Sequence, residues 1–205
     1  MTKLRVGVLV SGRGTNLQAI IDAIDRGEVE AEIAIVVSNR SDALALQRAA
    51  RHHIPSAVVE RQDYPTRREH HLAIAEILEQ RDVGLVVLAG FDRVLRPELI
   101  RAFHHRMINI HPSLLPAFGG GLHAQAEALD YGVRLSGCTV HFVTEDTDAG
   151  PIILQAAVPV LDDDNTESLS ARILEQEHRI LPQAIELFAE RSLKVIGRRV
   201  LITKS

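Results

Sequence analysis

Short β-branched apolar runs alternate with longer amphipathic stretches through the first half of this chain, and few folds satisfy that rhythm. Residues 4–10, 32–38, 57–60 and 83–89 read as strands, and residues 16–26, 42–52 and 66–80 between them read as helices. Several of the strands are apolar almost throughout, which suits strands covered on both faces. Strand–helix repetition of this kind predicts an α/β fold with a doubly wound, mostly parallel, Rossmann-like sheet and right-handed crossovers.

The pattern changes in the C-terminal half. Residues 106–110 predict a further strand that ends at a proline-containing loop. Residues 136–143 alternate as an antiparallel strand does, and residues 152–160 follow a turn containing Gly150 and Pro151. Antiparallel additions to the sheet are therefore expected here. Asp162-Asp163-Asp164-Asn165 supplies cap residues for a helix over 166–190, and residues 194–202 read as a terminal hairpin or extended tail. Without a repeat, a low-complexity segment or a linker, residues 1–205 are expected to form a single domain.

Composition removes several classes of function. An apolar fraction of 46% with 24% charged residues is that of a globular chain. A net charge of −4 and a pI near 6.2 give no general attraction to nucleic acid or to an anionic membrane, so neither is an expected partner. The single cysteine, Cys138, excludes an internal disulfide and a cysteine-rich zinc site. The segment from Met1 to Val10 lacks the features of a signal peptide, and no apolar run approaches the roughly 18–20 residues that span a bilayer. A cytoplasmic location is expected.

The first predicted strand runs into Ser11-Gly12-Arg13-Gly14-Thr15-Asn16 and then directly into a helix. Glycines let backbone N–H groups approach a ligand, and a helix N-terminus favours an anion. Leu17 breaks the dinucleotide pattern and no Gly-Lys-Ser/Thr follows, so a small monophosphate is a better fit than a dinucleotide or ATP. The competing structural reading is a tight turn with a threonine or asparagine cap.

Asn109-Ile110-His111-Pro112-Ser113-Leu114-Leu115-Pro116 is the most informative segment. It falls at the carboxyl end of a predicted strand, where open α/β sheets bind ligands. Strand alternation puts Asn109 and His111 on one side, and Pro112 fixes the backbone just beyond. Acyl transfer uses such a pair, an amide donor for a developing oxyanion and an imidazole that handles protons near neutrality. A histidine satisfied by core hydrogen bonds is the alternative. The pairs His52-His53, His70-His71 and His104-His105 read as surface or structural.

The loop after His141 holds Glu145, Asp146 and Asp148, and a carboxylate beside an imidazole favours its charged form. Residue chemistry alone does not choose among the three acids, and His141 is equally compatible with a buried structural role. Glu177 interrupts an apolar helical stripe of Leu169, Ile173, Ile180, Ala184 and Leu187, so it needs a sugar hydroxyl or an internal partner. No His-x-x-x-His pair occurs, and no metal is expected.

These motifs together resemble the phosphoribosylglycinamide formyltransferases, the folate-dependent GAR transformylases of the formyltransferase superfamily. The resemblance runs through Ser11 to Ile20, Leu88-Ala89-Gly90-Phe91, Asn109 to Pro116, Gly137 to Val143, Asp148-Ala149-Gly150-Pro151 and Gln176-Glu177-His178. It implies a formyltransferase fold and a one-carbon transferase of de novo purine synthesis. Such an enzyme moves the formyl group of its co-substrate 10-formyltetrahydrofolate to the amine of glycinamide ribonucleotide, giving formylglycinamide ribonucleotide and tetrahydrofolate. The family pattern implies Asn109, His111 and Asp148 as the catalytic trio, Gly14, Thr15 and Asn16 at the phosphate, and Glu177 at the ribose. Arg68, Arg93, Val94, Leu95, Val143 and Thr144 are implied at the folate. The partners expected are these small molecules, in a monomer or homodimer.

The His-Pro-Ser-Leu-Leu-Pro core is shared across the superfamily. A methionyl-tRNA formyltransferase would be expected to carry a further C-terminal domain, and a formyltetrahydrofolate deformylase an N-terminal regulatory domain. The alternatives are a same-fold formyltransferase for another amine, a formyltetrahydrofolate hydrolase, and a nonenzymatic nucleotide-binding module. Two departures from the family pattern stand out. Asp92 replaces an apolar residue beside the folate pocket, where it either weakens apolar contact or points to solvent. The loop from Phe118 to His123 is one residue longer and rich in glycine, and Ala126 and Glu127 stand where a basic residue and a glutamine are common.

Overall fold

The computed structural model describes residues 3–203. Met1, Thr2, Lys204 and Ser205, which the single-domain expectation includes, lie outside the described residues. The chain divides into two compact units, one up to Asn109 and the other from Ile110.

In the first unit the expected alternation appears as β1 (Leu4–Val10), α1 (Thr15–Asp25), β2 (Ala31–Ser38), α2 (Leu44–Arg51) and β3 (Ser56–Val58). It continues as α3 (Arg67–Glu79), β4 (Leu85–Leu88), α4 (Pro97–Ala102) and β5 (Met107–His111), the strand along which the chain passes into the second unit. The strands run in the order β3-β2-β1-β4-β5, with every neighbouring pair parallel. Val6, Val8, Leu9 and Val10 are all fully buried although they alternate sides, so both faces of β1 are covered, as the apolar run from Val6 to Val10 requires. Leu17 and Ile20 of α1 and Ile74 and Leu78 of α3 are likewise fully buried. Each such side chain contributes roughly 1.5–3 kcal/mol of burial. The start of α3 is fixed by a capping box, with the Glu69 N–H donating to Thr66 Oγ1 and the Thr66 N–H to Glu69 Oε2.

The second unit contains α5 (Ala124–Tyr131), β6 (Leu135–Phe142), β7 (Ile152–Pro159), α6 (Thr166–Ala189), β8 (Leu193–Ile196) and β9 (Arg199–Ile202). Its strands run β6-β7-β9-β8. The β6–β7 and β8–β9 pairs are antiparallel, and β7 meets β9 in parallel at Ile152 and Arg199. The antiparallel additions and a terminal hairpin, rather than a tail, are thus what the segment forms. At the N-terminus of α6, Asn165 Oδ1 accepts from the Glu167 and Ser168 N–H groups, and Arg172 makes paired hydrogen bonds to Asp164.

Two helices escape a reading of periodicity. The six residues of α4 are too few for a stripe, and α5 buries only Ala124 and Ala128, so neither shows an amphipathic repeat.

Candidate active site

The segment after β5 is fastened by hydrogen bonds to β6 and β7. Thr139 Oγ1 donates to the Ser113 carbonyl at 2.7 Å and accepts from the Leu115 N–H at 3.1 Å. Gln155 Nε2 donates to the Leu115 carbonyl at 3.1 Å and to Thr139 Oγ1 at 2.9 Å. Ser113 Oγ donates to the Ala117 carbonyl. The His-Pro-Ser-Leu-Leu-Pro stretch is therefore held on β6 and β7 by side chains as well as by its prolines.

On this base the second unit assembles a carboxylate between two imidazoles. His111 Nδ1 lies 3.3 Å from Asp148 Oδ2, and His141 Nε2 lies 3.6 Å from Asp148 Oδ1. All three side chains are shielded, at 6%, 2% and 11% exposure for His111, His141 and Asp148. The Gly120 N–H donates to Asp148 Oδ2 at 2.8 Å, and His111 Nε2 faces the Phe118 carbonyl at 2.9 Å. Both nitrogens of His111 thus face acceptor oxygens. Burial works to raise the Asp148 carboxyl. The His141 hydrogen bond, the Gly120 N–H and the charges of His111 and His141 outweigh it, and the net displacement is below the ordinary aspartate value.

The geometry chooses Asp148 over Glu145 and Asp146, which lie exposed in the same loop. It also promotes His141, left open between site and core by its sequence, to a direct neighbour of Asp148. The signal was faint, a histidine seven residues before the aspartate with a tight turn beyond. That turn depends on Gly150, where a Cβ would stand 1.7 Å from the Phe142 carbonyl oxygen. Asp148 (φ 51°) and Phe118 (φ 54°) both sit in the left-handed region, a strained backbone of the kind that gathers at functional sites.

Asn109 precedes His111 by two residues in β5, so strand alternation directs both side chains the same way. Glu177 is 7% exposed within the buried stripe of α6, as its interruption of that stripe implies. Burial, with the Glu177 carboxylate adding to it, pushes the Cys138 thiol up to about 12.

In the first unit, Gly14 is the N-cap of α1, in left-handed conformation (φ 70°) and with no side-chain cap bond. The alternative of a threonine or asparagine cap is therefore not what forms. A Cβ at Gly14 would stand 2.6 Å from Ala45 Cβ and 2.7 Å from Ala45 Cα, so α2 closes over the loop at a distance only glycine allows. The Ala45 N–H donates to the Gly12 carbonyl, and Arg48 Nε to the Arg13 carbonyl. Thr15 and Asn16 open the helix whose N-terminus suits an anion.

Arg68, on α3, pairs with Glu98 of α4 at 3.3 Å, and Arg93 pairs with its neighbour Asp92 at 3.4 Å. Val94 is 71% exposed and Leu95 9% exposed. In the second unit Val143 and Thr144 are half-buried just after β6, and Thr144 Oγ1 donates to the Asp146 carbonyl. Asp92 is half-buried, with 35% of its side chain exposed. It is hydrogen-bonded to Ser11 and Asn39. Of the other histidines, His70 and His71 are buried and His52, His53, His104 and His105 exposed. Among the described residues no histidine, cysteine and carboxylate cluster has the makings of a metal site, and no helix is long and apolar enough to cross a membrane.

The formyl transferase family profile matches residues 4–185. Phosphoribosylglycinamide formyltransferase of Haemophilus influenzae is 44% identical over 191 residues, 93% of this chain and 90% of that protein. The trifunctional purine biosynthetic protein adenosine-3 of Drosophila pseudoobscura pseudoobscura is 48% identical over 195 residues, and the match spans only 14% of that much longer protein. The crystal structure of glycinamide ribonucleotide transformylase 1 from Symbiobacterium toebii superposes with a TM-score of 0.97 at 52% identity, covering 99% of this chain and 95% of that one.

Proposed function

This chain belongs to the formyl transferase family, and on that premise we propose that it transfers the formyl group of 10-formyltetrahydrofolate to the amine of glycinamide ribonucleotide. The products are formylglycinamide ribonucleotide and tetrahydrofolate. The observation that carries the reading is the Asp148 carboxylate held between His111 and His141, with one of its oxygens also bonded to the Gly120 N–H.

The amine nitrogen attacks the formyl carbon, and the carbonyl electron pair moves onto oxygen. That oxyanion needs donors, which Asn109 and a protonated His111 supply. His111 Nε2 already faces an acceptor oxygen, the Phe118 carbonyl, and the formyl oxygen is an acceptor of the same kind. Asp148 holds the His111 imidazole in place and takes part in passing the amine proton toward the folate nitrogen that leaves. Collapse of the intermediate breaks the bond from the formyl carbon to that nitrogen and frees tetrahydrofolate. No step calls on a metal ion.

Gly14, Thr15 and Asn16 hold the acceptor phosphate at the N-terminus of α1, and Glu177 the ribose hydroxyls. Arg68, Arg93, Val94, Leu95, Val143 and Thr144 bind the folate. Residues 1–205 act as one formyltransferase domain in the cytoplasm, as monomer or homodimer, on small molecules alone. The family match, which runs through both compact units, supports that single-domain reading.

Spectrophotometric formyl transfer, run with and without glycinamide ribonucleotide, tests the proposal. Turnover that requires the nucleotide and collapses in His111→Ala supports it. Formate release regardless of nucleotide would make the chain a formyltetrahydrofolate hydrolase, and turnover with an unphosphorylated amine would make it a formyltransferase for another acceptor.

A further inference from the structure

Asp92 stands where an apolar residue is expected, and its surroundings give it a task. The Asp92 N–H donates to Ser11 Oγ at 2.9 Å, Ser11 Oγ donates to Asn39 Oδ1 at 2.7 Å, and Asn39 Nδ2 donates back to Asp92 Oδ1 at 2.8 Å. The three residues close a ring. Ser11 Oγ also lies 3.1 Å from Asp92 Oδ1, a second acceptor for the same proton. Ser11 and Asn39 are 5% and 6% exposed, so neither can exchange its partner for bulk water without moving. An apolar side chain at position 92 would leave the buried Asn39 amide without its acceptor.

The ring joins segments with different duties. Ser11 opens the loop that leads to Gly14, Thr15 and Asn16, and Asn39 follows the end of β2. Asp92 begins the stretch to Leu95, which lies between β4 and α4 with no regular structure of its own. Apart from this ring, a backbone bond from the Ser11 N–H to the Gly90 carbonyl at 3.0 Å also ties the two loops. A carboxylate so near an anion site would repel a phosphate if left bare. Its Oδ1 is instead engaged by Asn39 and lies 3.4 Å from Arg93 Nε.

We propose that Asp92 is a positioning residue, closing a hydrogen-bond ring with Ser11 and Asn39 that fastens the acceptor-phosphate loop to the folate segment. This rests on the substrate assignments given above, but the ring itself does not. Opening it loosens both loops together, while the groups around Asp148 are left in place. The effect therefore falls on the binding of both substrates and spares the chemical step.

The test is a double-mutant cycle read in both KM values, with inorganic phosphate as an independent probe of the loop. Asp92→Ala is expected to raise KM for each substrate about tenfold, the loss of one well-made, part-buried hydrogen bond, with kcat nearly unchanged. Asp92→Asn keeps the acceptor oxygen and removes the charge, so it should stay within about threefold of wild type. Ser11→Ala opens the same ring, and the double variant should be no worse than about twofold beyond the weaker single. Phosphate affinity, measured by NMR titration, should fall in Asp92→Ala and hold in Asp92→Asn.

Unchanged KM values in Asp92→Ala, a loss confined to kcat, or fully additive effects in the double variant would each overturn the proposal. So would an Asp92→Asn variant as impaired as the alanine, because charge rather than the ring would then be responsible. A wild-type protein that fails to use the nucleotide, yet loses phosphate affinity in Asp92→Ala and keeps it in Asp92→Asn, would sink the formyl-transfer reading and leave the ring standing.

Discussion

Replacing His71 with leucine should remove much of the acid sensitivity of the folded state. His71 lies on α3 at 2% exposure, its ring 5.1 Å from that of His70, and neither of its ring nitrogens makes a well-aligned hydrogen bond. Burial is the main force that lowers its pKa, and His70 and then Arg96 add to it. The Arg67 carbonyl and the Glu98 carboxylate pull the other way, and the outcome is a fall from 6.5 to about 4. Between those values the unfolded chain takes up a proton that the folded protein refuses. The neutral ring therefore stabilises the fold fully above pH 6.5, and that contribution drains away as the pH falls toward 4. At about 1.36 kcal/mol per pH unit the gap is worth about 3 kcal/mol. Leucine has no proton to gain, and near neutrality it replaces a poorly bonded polar ring with an apolar side chain, so little should be lost there. Urea unfolding from about pH 7.5 to about pH 4 provides the assay. With a denaturant slope of about 2 kcal/mol per molar, the wild-type midpoint should fall by roughly 1.5 M more than that of His71→Leu. Parallel loss of stability in the two proteins would refute the reasoning, since it would mean that the native ring is already charged or well bonded.

Three further outcomes are expected. Asp148→Asn should lower kcat by about 10²- to 10⁴-fold at every pH. Because the wild-type carboxylate is held below its ordinary pKa and stays ionised as the medium is acidified, an acid limb of the wild-type pH–rate profile that vanishes in this variant would contradict the assignment. Gly14→Ala should destabilise the fold by at least about 2 kcal/mol, through left-handed strain and collision with Ala45, and should raise KM for the acceptor; an unshifted melting temperature would count against it. Cys138, fully buried and with its thiol pushed up to about 12, should resist thiol reagents until the protein unfolds, and rapid labelling of the native protein would show the β6 environment to be open.

What the sequence disclosed, and what it withheld, follows from the range of the interactions. The strand runs of the first half were legible because burial on both faces leaves a one-dimensional record, and β1 was bounded to the residue. Asn109 and His111 were legible together because strand alternation acts over two residues. Glu177 announced its burial by interrupting a helical stripe. The choice of Asp148 among three acids was not legible from the residues themselves, since it depends on where a left-handed residue and the close approach of Gly150 turn the loop. The same holds for His141. The hydrogen bonds of Asp92 escaped notice for a related reason, because its partners lie 53 and 81 positions away along the chain and leave no local trace.

The hairpin of β8 and β9 also bears on behaviour at high concentration. The family match ends at residue 185, before β8 begins. In the strand order β6-β7-β9-β8 it is β9 that flanks β7, and β8 becomes the outermost strand of its unit. That strand is only four residues long, carries Lys194, and alternates half-buried with exposed positions. A long apolar border would be a template for adding a second chain, strand upon strand. A short one bearing a lysine is a poor template. Among the described residues, β8 thus acts as a selvedge, a short border that offers a neighbour little to catch on.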